Sequence, residues 1–226
     1  MLKSILFSSL LFLIAFSAHA QNAMSNKILK RFELVGGPSQ SRNTGSNSYD
    51  PEFGYSIGVG YDHPLHKMFS FNLRTLYERK ASSYSFRLIE IESGGNITPI
   101  TEKYTTTLSY LTVYLVPTLH LGPNKNIHVG IGPYYSFMQN LTNDIHRTRT
   151  YDGLFISKRT EHPKDYFDHS YDAGATAIVG YSFNVIDKIT LTLQGYFNSG
   201  AVSLYNRSFG QLRNNNFGLL ISIRVR

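Results

Sequence analysis

The sequence predicts an all-β fold, an eight-stranded antiparallel up-and-down transmembrane β-barrel. Three observations carry that expectation. Beyond position 20 the chain alternates apolar and polar residues at period two, in segments of about ten residues. The connections between those segments are short and long by turns. The polar face is mostly Gly, Ser, Thr, Asn and Tyr. Bulk water would favour Lys and Glu there, whereas small polar groups suit the filled lumen of an eight-stranded barrel.

Each segment follows the same rule. The first is the weakest, at residues 30–36, with Phe32 and Leu34 opposed to Arg31 and Glu33. In residues 53–61, Phe53, Tyr55, Ile57, Val59 and Tyr61 oppose Gly54, Ser56, Gly58 and Gly60. In residues 69–78, Phe69, Phe71, Leu73 and Tyr77 oppose Ser70, Asn72, Arg74 and Glu78. Residues 111–121 and 127–137 repeat the pattern around Leu115 and Ile131, with His120 and His128 on their polar faces. Residues 173–183, 189–197 and 217–225 complete the set, the last placing Arg224 among polar positions.

The stretches 62–67, 122–126 and 184–188 read as tight turns, and 37–51, 88–103, 140–166 and 198–216 as long polar loops. An even strand count with short turns at one end and long loops at the other is the outer-membrane pattern. Closure also removes the exposed edges that eight open strands would present. The apolar face carries no Lys, Arg, Asp or Glu in the middle of seven strands. A midplane Arg or Lys facing lipid would cost about 2–4 kcal/mol. Tyr and Phe gather near strand ends, where aromatic girdles meet the membrane interfaces.

Residues 1–20 are set apart. Lys3 precedes an apolar run from Ile5 to Phe16, followed by Ala18-His19-Ala20. That is a charged start, a short apolar stretch and a small-residue cleavage site, so the segment reads as a secretory signal peptide and residues 21–226 as the barrel domain. The chain has 22 basic and 15 acidic residues, for a net charge of +7. Removing the leader takes away Lys3 and no acid, which leaves 21 against 15, or +6. With no Cys there is no disulfide framework, thiolate metal site or thiol nucleophile.

Tyr110-Leu111-Thr112-Val113-Tyr114-Leu115-Val116-Pro117-Thr118-Leu119-His120-Leu121-Gly122, followed by Asn126 through Gly132-Pro133-Tyr134, resembles the PorT-like outer-membrane β-barrel family of Bacteroidota. Members carry a Tyr-Leu strand ending in Gly, a short turn, and a strand containing Gly-Pro-Tyr. Tyr114 stands where the family usually has Pro, and the chain ends in Arg224-Val225-Arg226 without a terminal aromatic. The resemblance implies an integral outer-membrane protein and transfers no catalytic motif.

Two groups of polar residues are candidate sites. Arg31, Glu33, Arg74, Glu78 and Arg224 fall on the inward face, where charges must pair, so they are expected to form a lumen network of ion pairs. His120 and His128 should stand opposite one another across the 122–126 turn, with His63 and His66 in the neighbouring turn. Four imidazoles at the periplasmic end are the residues a metal ion would use, but polar packing is the simpler expectation, and no metal or other cofactor is assigned.

An enzyme of the lipid-modifying kind would need a nucleophile and a base on one strand face. His169 and Ser170 are adjacent and point to opposite faces, and the pairs around His146 and His162 lack supporting spacing. No catalytic residue is assigned. The loop at 140–166 mixes five basic residues with four acidic ones, which is no nucleic-acid patch. The expected partners are outer-membrane lipid and lipopolysaccharide, the barrel-assembly machinery, and a secretion or surface protein. The function expected is a non-enzymatic outer-membrane barrel with a structural, adhesive or assembly and secretion role through its long loops. A lipid-modifying barrel enzyme and a soluble periplasmic lipocalin-like barrel are the alternatives; the second lacks any Trp for a lipocalin Gly-x-Trp signature.

Overall fold

Alternation along each segment becomes a closed wall. The computed structural model describes residues 30–44, 50–91, 97–149, 154–161, 170–186, 189–202 and 213–225. The segment read as a signal peptide, residues 1–20, lies outside them, as do His162 and His169. The strands are β1 (Phe32–Thr44), β2 (Asp50–Pro64), β3 (Phe69–Ile91), β4 (Ile97–Leu121), β5 (Ile127–Arg149), β6 (Phe155–Glu161), β7 (Tyr171–Ile186), β8 (Ile189–Gly200) and β9 (Arg213–Val225). Every pairing is antiparallel, and β1 pairs with both β2 and β9, so eight strands close into a ring. The ninth, β6, pairs with the upper part of β5. β5 therefore changes partner along its length, from β7 over residues 127–137 to β6 over residues 143–148.

Side-chain period and pleat settle which residues face where. Leu34, Ile57, Leu73, Ile131, Val179, Leu193 and Ile221 all point outward and are exposed. Aromatic residues bracket this apolar band. Near the turns, Phe32 packs on Tyr61 with ring centroids 5.0 Å apart. At the opposite border Tyr135 stacks on Tyr171 at 5.5 Å, and Tyr55 lies 6.3 Å from Tyr77.

All four stretches expected as loops are partly strand. β1 runs on to Thr44, β3 and β4 pair out to Ile91 and Ile97, β5 reaches Arg149 with β6 beside it, and β8 and β9 reach Gly200 and Arg213. Beyond the apolar band no face meets lipid, and Ala81 and Ser83 on one face are buried alongside Lys80 and Ser82 on the other, so nothing imposes the apolar–polar alternation by which strands are recognised. From Arg79 to Ile91 the β3 ribbon adds roughly 40 Å of extended chain past the band.

Glycine matters most where strands approach closely. A β-carbon on Gly132 would lie 2.1 Å from the Leu115 carbonyl oxygen and 2.9 Å from Val116 Cα. Gly132→Ala is therefore expected to push β5 from β4 and destabilise the barrel by about 1–3 kcal/mol, measured by guanidinium unfolding in micelles. Gly195→Ala is the control, since its β-carbon would meet nothing closer than 3.8 Å. Equal shifts in the two variants would defeat the close-approach argument.

Candidate functional site

Inward-pointing residues fill the ring in layers. Toward the turns, Glu33 is buried and accepts hydrogen bonds from Arg74 Nε at 3.0 Å, Arg224 Nη2 at 3.2 Å, Asn72 Nδ2 at 3.4 Å and Ser222 Oγ at 3.1 Å. Arg74 also donates to Gln194 Oε1 at 2.8 Å, and Arg224 donates to Asp62 Oδ2 at 3.0 Å. Two carboxylates face two guanidiniums, the pairing that buried charge requires.

Above this network Val35, Leu76, Val116, Ile178 and Leu220 pack into one buried apolar cluster with Tyr114, Tyr134 and Tyr196. A second polar layer follows. Glu78 accepts from Thr112 Oγ1 and Tyr114 OH, both at 2.7 Å. Lys80 Nζ lies 3.5 Å from Glu78 and 3.6 Å from Asp172, and sits over the Tyr110 and Tyr134 rings at 4.9 and 5.3 Å. Tyr134 OH donates to Asp172 at 3.3 Å.

The structure thus divides the residues expected in one lumen network. Glu33, Arg74 and Arg224 come together; Glu78 belongs to the separate upper layer. Arg31 is a correction. It precedes β1, with its carbonyl accepting from Asp62 N at 3.0 Å, and its Nη1 bonds Tyr61 OH at 3.4 Å and His63 Nδ1 at 3.3 Å beside the girdle, because at the strand end the side chain reaches partners and water at the rim. Lys80, Asp172 and Asp62 were not singled out from sequence. Lys80 and Asp172 lie just past the ends of the alternating segments, at the parity of Glu78 and Gly174, and extending those segments would have found them.

His120 lies directly opposite His128, with their Nδ1 atoms 2.8 Å apart. Their Nε2 atoms bond Ser70 Oγ, at 2.7 Å, and Ser182 Oγ respectively, and Ser182 continues to Thr192 Oγ1 at 2.6 Å. All four ring nitrogens are engaged in one hydrogen-bonded chain across five strands. His63 and His66 are exposed and stand apart from it. Among the described residues no group of three or more His, Cys, Asp or Glu is placed to hold a metal ion.

Past the lipid band, the ribbon carries its own cluster. Tyr84 stacks on Tyr104 at 5.1 Å and 12°, and Phe86 on Tyr104 at 5.4 Å and 20°. Tyr104 OH donates to Glu102 Oε2 at 3.0 Å, and Glu102 is ion-paired with Arg147. Burial first, and then the bond to Glu102, pushes the Tyr104 phenol up to about 12. Lys103 Nζ bonds Glu52 at 2.7 Å, which holds that carboxyl below its usual range. On the other sheet face, Thr160 donates to Asp144 at 2.6 Å, and His146 stands between Lys103 and Lys158 in the ladder.

Residues 15–200 match the family described as outer membrane protein beta-barrel domain. No curated protein matches the chain. Several solved structures are similar. Ail, the attachment invasion locus protein of Yersinia pestis, in complex with the heparin analogue sucrose octasulfate, is 10% identical with a TM-score of 0.36, over 86% of this chain and 97% of that one. The outer membrane protease OmpT from Escherichia coli is 9% identical with a TM-score of 0.36, over 86% and 94%. The outer membrane protein OprG from Pseudomonas aeruginosa is 9% identical with a TM-score of 0.39, over 86% and 94%. The ring, its apolar outer wall and the family match agree on an outer-membrane location, and the chain belongs to the outer membrane protein beta-barrel domain family.

Proposed function

We propose that the protein is a non-catalytic surface barrel whose filled lumen is a rigid mount for the β3–β6 ribbon, and that the ribbon is its recognition surface in a structural, adhesive or assembly role. One observation carries this reading. β3 and β4 run for 23 and 25 residues, while about 9–11 suffice to cross the membrane. The excess stands at the end opposite the short turns, which in such barrels is the cell exterior. On the face that continues from lipid-facing Leu111, buried Ser109 and Thr107 are followed by half-buried Thr105, exposed Lys103 and half-buried Thr101, and then by exposed Ile97, Ile91 and Ile89. Apolar side chains beyond a polar belt have no lipid to meet, and such patches mark contact surfaces. The aromatic stack with Arg147 on the other face adds a second contact chemistry.

The PorT-like likeness rests on the sequence of the β4–β5 hairpin and supports a link to assembly or secretion at the outer membrane. The leader and the barrel-assembly machinery belong to the same reading, as the route by which the chain reaches its membrane.

Trimming the ribbon tests this. Residues 84–104 would be replaced by Asn-Gly, a turn that suits the directly opposed Ser83 and Thr105. The trimmed barrel is expected to reach the outer membrane and to remain heat-modifiable, while displaying cells lose adherence to protein- and glycan-coated surfaces. Undiminished adherence would refute the ribbon as recognition surface. In planar bilayers both forms are expected to show no conductance steps, because the apolar cluster around Leu76 and Val116 separates the two polar layers.

A further inference from the structure

The wall that faces lipid is not uniform. At the exterior border most strands present large side chains outward, Tyr55, Tyr77, Tyr135 and Phe217 among them. Between Tyr171 on β7 and Phe197 on β8, which faces Phe217, these two strands present only small outward side chains, Ala173, Ala175, Ser199 and, just past β8, Ala201. The result is a trough of about 820 Å³, floored by these four residues, walled by Leu115 and Tyr135, with exposed Arg213 at its upper end. None of the floor side chains packs the lumen, so the core does not dictate their size.

We propose that this trough binds one acyl chain of a phosphorylated glycolipid of the outer leaflet, with Arg213 meeting the phosphate. Lipid tails are as apolar as the wall, so burial alone selects nothing there. Retention of a particular lipid needs a concavity that gains close packing and a charge that holds the headgroup. This wall supplies both at one height. The trough opens at the loop end, so the leaflet it faces is the exterior one. A second copy of the chain is the competing occupant, but the cation at the upper end complements a phosphate and not a second Arg213.

The test uses the mature barrel refolded in mixed micelles and native mass spectrometry. The probes are bis-phosphorylated lipid A and, in a separate arm, phosphatidylglycerol of matched chain length. One lipid A is expected to remain bound per barrel, with phosphatidylglycerol lost under the same activation. Ala175→Phe fills the floor while keeping the wall apolar and is expected to abolish retention; Ala175→Leu replaces it if the first variant does not refold. Arg213→Gln is expected to weaken retention about fivefold. Heat-modifiability confirms the fold of each variant. Equal retention of the two lipids overturns the proposal, as does lipid A binding unchanged by both substitutions, or a dimer mass that disappears with Ala175→Phe.

Discussion

Glu33→Leu is expected to destabilise the barrel by about 3–5 kcal/mol, the usual cost of removing one member of a buried ion-pair network. Glu33 is 3% exposed, and four donors from two other strands, β3 and β9, converge on its two oxygens. Without it, the buried Arg74 guanidinium keeps only its bond to Gln194, and Arg224 keeps only Asp62. Leucine occupies similar space, so the loss comes from uncompensated charge and not from a cavity. Unfolding in lipid vesicles, followed by tyrosine fluorescence because the chain has no Trp, gives the free energy. Glu52→Gln is the comparison. Its partner Lys103 is 48% exposed, and an exposed pair of this kind is worth about 0–1 kcal/mol. If the two substitutions cost the same, the lower network is not what holds that end of the barrel together.

Lys80→Met is the second large effect. Its ammonium is the shared cation of Glu78 and Asp172, both fully buried, and it also lies over two tyrosine rings. Methionine keeps the length and removes the charge, leaving two carboxylates close together without a counter-ion, at a cost of about 3–5 kcal/mol. The layer already holds one more carboxylate than it has cations. Asp172→Asn should therefore recover part of that loss in the Lys80→Met background, with a coupling of about 0.5–3 kcal/mol in a double-mutant cycle. Strictly additive costs would show that Lys80 and Asp172 do not act as a pair.

Particular residues show how far the sequence could be read. Phe69, Phe71 and Leu73 against Ser70, Asn72 and Arg74 identify a strand, its two faces and which of them meets lipid. That inference succeeds because each face has its own solvent and the period is two. It fails where neither face meets lipid: the upper parts of β3, β4 and β5, rich in Thr, Lys and Arg, resemble loops although they pair in register out to Ile91 and Ile97. The short β6, Phe-Ile-Ser-Lys-Arg-Thr-Glu, is hidden for the same reason.

The inward positions of Glu33, Arg74, Glu78 and Arg224 were legible from alternation, but their partners were not. Glu33 and Arg224 are 191 positions apart and meet only because β1 closes on β9. Glu78 stands two residues above an apolar layer that separates it from Arg74's network, a boundary set by which side chains arrive at one height from different strands. Local pattern therefore decides strand, face and membrane side. Closure and stagger decide which charges pair, where the lumen is sealed, and where the outer wall is hollow, since these depend on distances between strands that no single segment records.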